Sequence, residues 1–98
     1  MEVNKLTSEQ LVAHYMMHSY LYYIEGTSVI SDRSYDLLCQ RLLAEWDDLH
    51  HPHKVLIDKQ ALSSGTGFYL KEEDYPSIAK ITAREMVLEQ RGDTKWTL

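Results

Sequence analysis

The sequence predicts a mainly α domain: a helix hairpin, then a third helix towards the C-terminus. The stretch between residues 55 and 70 reads as a small β-hairpin or an irregular flap. Three observations predict this. Tyr35, Leu38, Cys39, Leu42, Leu43, Trp46 and Leu49 recur at helical spacing. Start and stop signals bracket the leading segments, with Thr7-Ser8-Glu9-Gln10 before one, Gly26 after it and Ser31-Asp32 before the next. The chain has 98 residues, 44% apolar and 26% charged, which suits one small globular domain over residues 1–98.

Thr7 is placed to cap the first helix, and Gln10 three residues on completes a capping box. The pattern runs to about Glu25, with Gly26 suited to a left-handed C-cap. Leu11, Val12, Tyr15, Met16, Met17, Tyr20, Leu21, Tyr22, Tyr23 and Ile24 cover more than one face, so this helix is expected at the centre. In the turn at 26–31, Val29 and Ile30 are apolar enough to pack back on the helices. Ser31 or Asp32 caps the second helix. Asp32 and Asp36 fall in or near its first turn, where the dipole favours negative charge. That helix is expected to stop by His50 or His51, before Pro52.

Val55-Leu56-Ile57 and Phe68-Tyr69-Leu70 are short apolar runs around Ser63-Ser64-Gly65-Thr66-Gly67. As two strands they would need to lie on the helices, since a lone hairpin is marginal. The third helix is expected from about Pro76 to Gln90, with Ile78, Ile81, Glu85 and Leu88 as its stripe and Arg91-Gly92 as its stop.

The formal net charge of −5 argues against a large phosphate-binding face, so direct nucleic-acid binding is not expected. Cys39 is the only cysteine, so no internal disulfide can form, and its apolar helical setting suits a buried residue in a reducing compartment. No stretch approaches the roughly 18 apolar residues of a membrane span, and the expected location is cytoplasmic.

The polar and aromatic residues of 14–38 suggest chemistry. Tyr22-Tyr23 ends the first helix, and Tyr35-Asp36 lies one turn into the second. A short connection brings those ends together, with Asp32 alongside. Stacked rings beside hydroxyl-accepting carboxylates suit a nucleoside-like ligand. Base stacking on aromatic rings contributes about 1–3 kcal/mol, and a cationic ring gains a further ~0.5–2 kcal/mol over an aromatic face. The competing account is structural, because helical tyrosines pack in cores and first-turn aspartates cap.

His18, Tyr22-Tyr23, Ile30-Ser31-Asp32, Tyr35-Asp36, Leu38 and His51-Pro52 follow in order. This string resembles the N-terminal Ia domain of bacterial NAD+-dependent DNA ligases, whose pattern is a His, a Tyr pair, Ile-Ser/Pro-Asp-x-x-Tyr-Asp-x-Leu and a helix ending near His-Pro. The likeness covers residues 11–53, with 54–98 an extension without a match. It implies a module that closes over the nicotinamide mononucleotide (NMN) half of NAD+ and orients it as leaving group, while a lysine of a separate domain attacks the adenylyl phosphorus. Carried over, Tyr22 stacks on nicotinamide, and Tyr23, Asp32, Tyr35 and Asp36 line the ring and ribose contacts. The implied setting is DNA replication and repair, with a DNA ligase or nucleotidyltransferase domain as partner.

The chain departs from that pattern. It lacks the Lys-x-Asp-Gly nucleophile motif and any following OB-fold, zinc-finger, helical-repeat or BRCT segment, so these residues alone are not expected to seal DNA. Gly26-Thr27-Ser28 replaces the family's proline-bearing turn. Two expectations follow: an NMN- or NAD+-binding module acting with or on a separate ligase, or a helical interaction protein (an accessory or inhibitor, of viral or other origin) that kept the fold without the ligand. Enzymatic action on NAD+ ranks behind both, with Asp36 as the only plausible base. His50, His51, His53 and Cys39 lack the ligand-pair spacing of a zinc site. Arg91-Gly92-Asp93 reads as a helix stop and Ser63–Gly67 as a flexible stretch, while Trp96 suits either tail docking or a partner contact.

Overall fold

Thr7 caps the first helix, α1 (Ser8–Tyr23), with the reciprocal bonds its spacing predicts. Its hydroxyl accepts from the Gln10 N–H at 3.2 Å, and Gln10 Oε1 accepts from the Thr7 N–H at 2.9 Å. The structure is a computed structural model, and it describes residues 3–65 and 70–91. Nine residues of α1 are buried, from Leu11 to Leu21, which makes it the central helix. At its end the Glu25 N–H reaches the Tyr20 carbonyl and the Thr27 N–H reaches the Leu21 carbonyl. Gly26 turns the chain there at φ 69°, a left-handed conformation that favours glycine.

Val29 and Ile30 pack back against the core, as their apolarity predicts. Ser31 then caps α2 (Asp32–Ala44) by accepting from the Ser34 N–H at 3.1 Å. α2 buries Leu38, Cys39 and Leu42 against α1. It ends well short of the expected His50. A 3-10 turn, Trp46–Asp48, carries the chain on and still buries Leu49. Asp47 and Asp48 would place negative charge on the negative end of a longer helix. Glu45, at the break, is held by Arg41 Nη2 at 2.6 Å and by the Ser8 hydroxyl at 2.8 Å. Arg41 also donates to the carbonyls of Val3 and Leu6, which fixes the N-terminal segment to α2.

No strand occurs among the described residues: where 55–65 was expected to begin a β-hairpin or flap the chain is helical, and most of the second expected strand lies outside the described residues. A 3-10 turn (Pro52–Leu56) leads to a short helix, α3 (Lys59–Ser64). Asp58 caps α3 by accepting from the Gln60 N–H, and Gly65 ends it at φ 67°. These local caps satisfy the backbone within the segment. Ala61 and Leu62 are buried, and α3 packs on α2. Thr66, Gly67, Phe68 and Tyr69 lie outside the described residues, as do Gly92, Asp93 and Trp96.

The expected third helix is α4 (Ser77–Arg91), and it packs on α1. Its buried face differs from the expected one. Ala79 and Ala83 face the core, with Met86 and Val87 packed beside them, while Ile78 is 64% and Ile81 54% exposed. Alanines leave room for close helix approach, so the larger Ile78 and Ile81 beside them in sequence are turned outward. Tyr20 fastens this contact: its ring meets Tyr75 edge-on at 5.4 Å, and its hydroxyl accepts from Arg84 Nη2 at 2.8 Å. Among the described residues, no helix is long and apolar enough to cross a membrane.

Candidate functional site

The end of α1 and the start of α2 enclose a cleft of about 300 Å³. Tyr22, Tyr23, Asp32, Tyr35 and Asp36 all line it, so the five residues singled out in the sequence share one cavity. The helix hairpin explains the convergence. Asp32 and Asp36 are four residues apart on α2, hence on one face, and Tyr35 lies between them in sequence. Tyr22 and Tyr23 meet edge-on at 4.8 Å, and Tyr22 is 53% exposed at the mouth.

Tyr35 forms the floor. Its hydroxyl lies 2.7 Å from Ser19 Oγ, and its ring stacks on Tyr15 at 5.8 Å. Burial raises its pKa well above that of an ordinary phenol, and the bond to Ser19 only partly opposes this. Tyr35 is therefore a neutral hydrogen-bonding phenol, not a phenolate. Cys39 lies beneath, its thiol pushed up to about 12 by burial and then by Asp36. It is packing, not a nucleophile.

Sequence reasoning missed three further parts of the wall. His18 entered only as a mark of the family pattern, yet it lines the cleft one turn before Tyr22. It is 4% exposed, and burial first, then His14, lowers its pKa to about 4. Its Nε2 lies 3.4 Å from His14 Nδ1, while its own Nδ1 has no hydrogen-bond partner among the described residues. The four-residue step from His18 to Tyr22 was the available signal. Ser28 and Ile30 close the turn side, where the Ser28 hydroxyl donates to the Ile30 carbonyl at 2.7 Å. Gly65, from the stretch expected to be a flexible connection between two apolar runs, completes the opposite side. A β-carbon there would lie 3.1 Å from Asp36 Oδ1, so glycine lets α3 approach the carboxylate.

The cleft offers aromatic faces, hydroxyls, two carboxylates and a neutral imidazole. Those groups can stack a flat ring and accept from sugar hydroxyls. Separately, an apolar groove of about 270 Å³ runs between α1 and α4, lined by Met16, Met17, Ile78 and Ala79 with His51 and His53. The rings of His51 and His53 lie 4.9 Å apart on this groove, while Cys39 is buried on α2. Comparison with protein-family models, curated proteins and solved structures returned no match.

Proposed function

We propose that this chain is a binding module for NMN, or for the NMN half of NAD+, that uses the cleft between α1 and α2. The observation that carries this reading is the convergence of Tyr22, Tyr23, Tyr35, Asp32 and Asp36 on one cavity. Its volume, about 300 Å³, lies at the lower end of the ~300–1,000 Å³ range of small-molecule sites, which suits a mononucleotide better than a whole dinucleotide. Tyr22 at the mouth stacks on the pyridinium ring. Asp32 and Asp36 accept from the ribose hydroxyls and complement the ring's charge. Tyr35, neutral and braced by Ser19, supplies a hydroxyl at the floor.

The catalytic nucleophile of a ligase belongs to another domain in this reading, so the module acts with or on a separate DNA ligase or nucleotidyltransferase domain. Affinity for free NMN is then weak, about millimolar, or ~4 kcal/mol. Calorimetric titration with NMN tests it. Tyr22→Ala and Asp36→Ala alter exposed residues, so both variants fold, and both lose the binding heat. Unchanged heat in both would remove the proposal.

One observation favours the second reading, a protein-interaction module without ligand. Ile78, Ile81 and Val55 (87% exposed) present apolar surface away from the cleft. That reading predicts partner capture without nucleotide, lost in Ile78→Asp and kept in Asp36→Ala.

A further inference from the structure

We infer that the cleft selects a cationic pyridinium nucleoside with a free 5′-hydroxyl over the 5′-phosphate of the same nucleoside. This rests on the nucleotide-site reading above and narrows its ligand class.

The charge of the wall carries the argument. Asp32 and Asp36 both line the cleft, and none of its described lining residues is Lys or Arg. His18 does not offset them, because burial keeps its imidazole neutral down to about pH 4. The start of α2 also lies on the cleft, and helix N-termini ordinarily favour phosphate. Here Asp32 occupies that first turn and already complements the dipole, with Asp36 one turn further on. A phosphate placed there meets two carboxylates and, among the described lining residues, no Lys or Arg, whereas a pyridinium ring meets two carboxylates and phenol faces.

His18 adds a buried, uncharged polar side chain to the same wall. Its side chain is more than nine-tenths buried in the wall, and its Nδ1 is unpaired among the described residues. Buried polar nitrogens are nearly always paired.

The test titrates the intact chain, followed by amide chemical shifts, with nicotinamide riboside, NMN and the dihydro form of the riboside, whose ring is neutral. The riboside is expected to bind at least about tenfold more tightly than NMN, and the dihydro form more weakly than the riboside. Added salt narrows the gap between riboside and NMN by screening the carboxylates. Asp36→Asn and Asp32→Asn, at exposed positions, narrow it too. NMN binding as tightly as the riboside, or a gap indifferent to both substitutions, overturns this inference and leaves the nucleotide site standing. Absence of binding by all three overturns both.

Discussion

The hydroxyl of Tyr35 on α2 lies 2.7 Å from the hydroxyl of Ser19 on α1, directly beneath the candidate cleft. Ser19 is 1% exposed, so this polar contact joins the two helices inside the core and sets the floor on which a ligand would rest. It ties the fold and the site to one hydrogen bond.

Tyr35→Phe removes that partner and leaves a buried serine hydroxyl with one bond fewer. The expected cost is about 1–3 kcal/mol in urea unfolding. Ser19→Ala combined with Tyr35→Phe should cost less than the sum of the single changes, because the double variant leaves neither group stranded. Additive costs would show that the two hydroxyls are not coupled.

Gly65→Ala probes the contact of α3 with the cleft. At φ 67° any β-carbon is strained, by about 1–2 kcal/mol, and here it also meets Asp36 Oδ1 at 3.1 Å. Thermal unfolding should register the loss, and NMN binding should weaken because Asp36 must shift. Gly26→Ala is the control, with the same backbone penalty but nothing within 4 Å of the added carbon. It should lower stability with a smaller effect on binding. Equal effects on binding would separate Gly65 from the site.

His18 makes stability depend on pH. Its folded pKa is lowered to about 4 from 6.5, so the folded state binds fewer protons than the unfolded chain between those values. The stabilisation is complete above about pH 6.5 and is lost as pH falls towards 4, by about 3 kcal/mol in total. His14, facing it at 3.4 Å, is lowered in the same sense by burial and adds to the slope. The Glu45 carboxyl, held down by Ser8 and Arg41, keeps its stabilisation above its ordinary value of 4.5 and loses it only below that pH. Denaturation curves from pH 7 to pH 4 should therefore steepen through His titration. His18→Gln should flatten most of that slope, and a persisting slope would reassign it.

The orientation of α4 is open to a direct contrast. Ala83→Leu adds volume where exposure is 0%, and should cost about 1–3 kcal/mol by overpacking. Ile81→Lys changes a residue 54% exposed, and should lie within about 0.5 kcal/mol of the parent. The reverse ranking would restore the isoleucine stripe as the buried face.

Legibility in the sequence tracked local chemistry. Thr7, Gln10, Gly26 and Ser31 declare caps and turns through their own side chains or flexibility, and each stands in that role. The cleft residues were legible because two capped helices and a short turn leave little choice about which ends meet. Hidden features depend on partners distant in sequence. Nothing local marks Ala79 and Ala83 as the core face against the larger Ile78 and Ile81; the close approach to α1 decides it. α3 was masked because Val55-Leu56-Ile57 has strand-like composition, although Asp58 and Gly65 carried cap signals on either side of it. Gly65's place in the cleft followed from that helix and could not be seen without it.

Titrating the labelled chain with NMN while following its amide resonances tests the cleft most directly. NMN is expected to give saturable shifts at Tyr22, Tyr35, Asp36 and Gly65, with a dissociation constant of about 1 mM and little change at Ile78 and Ile81. Resonances of the cleft that stay in place at high millimolar NMN, in a chain shown to be folded, would contradict it.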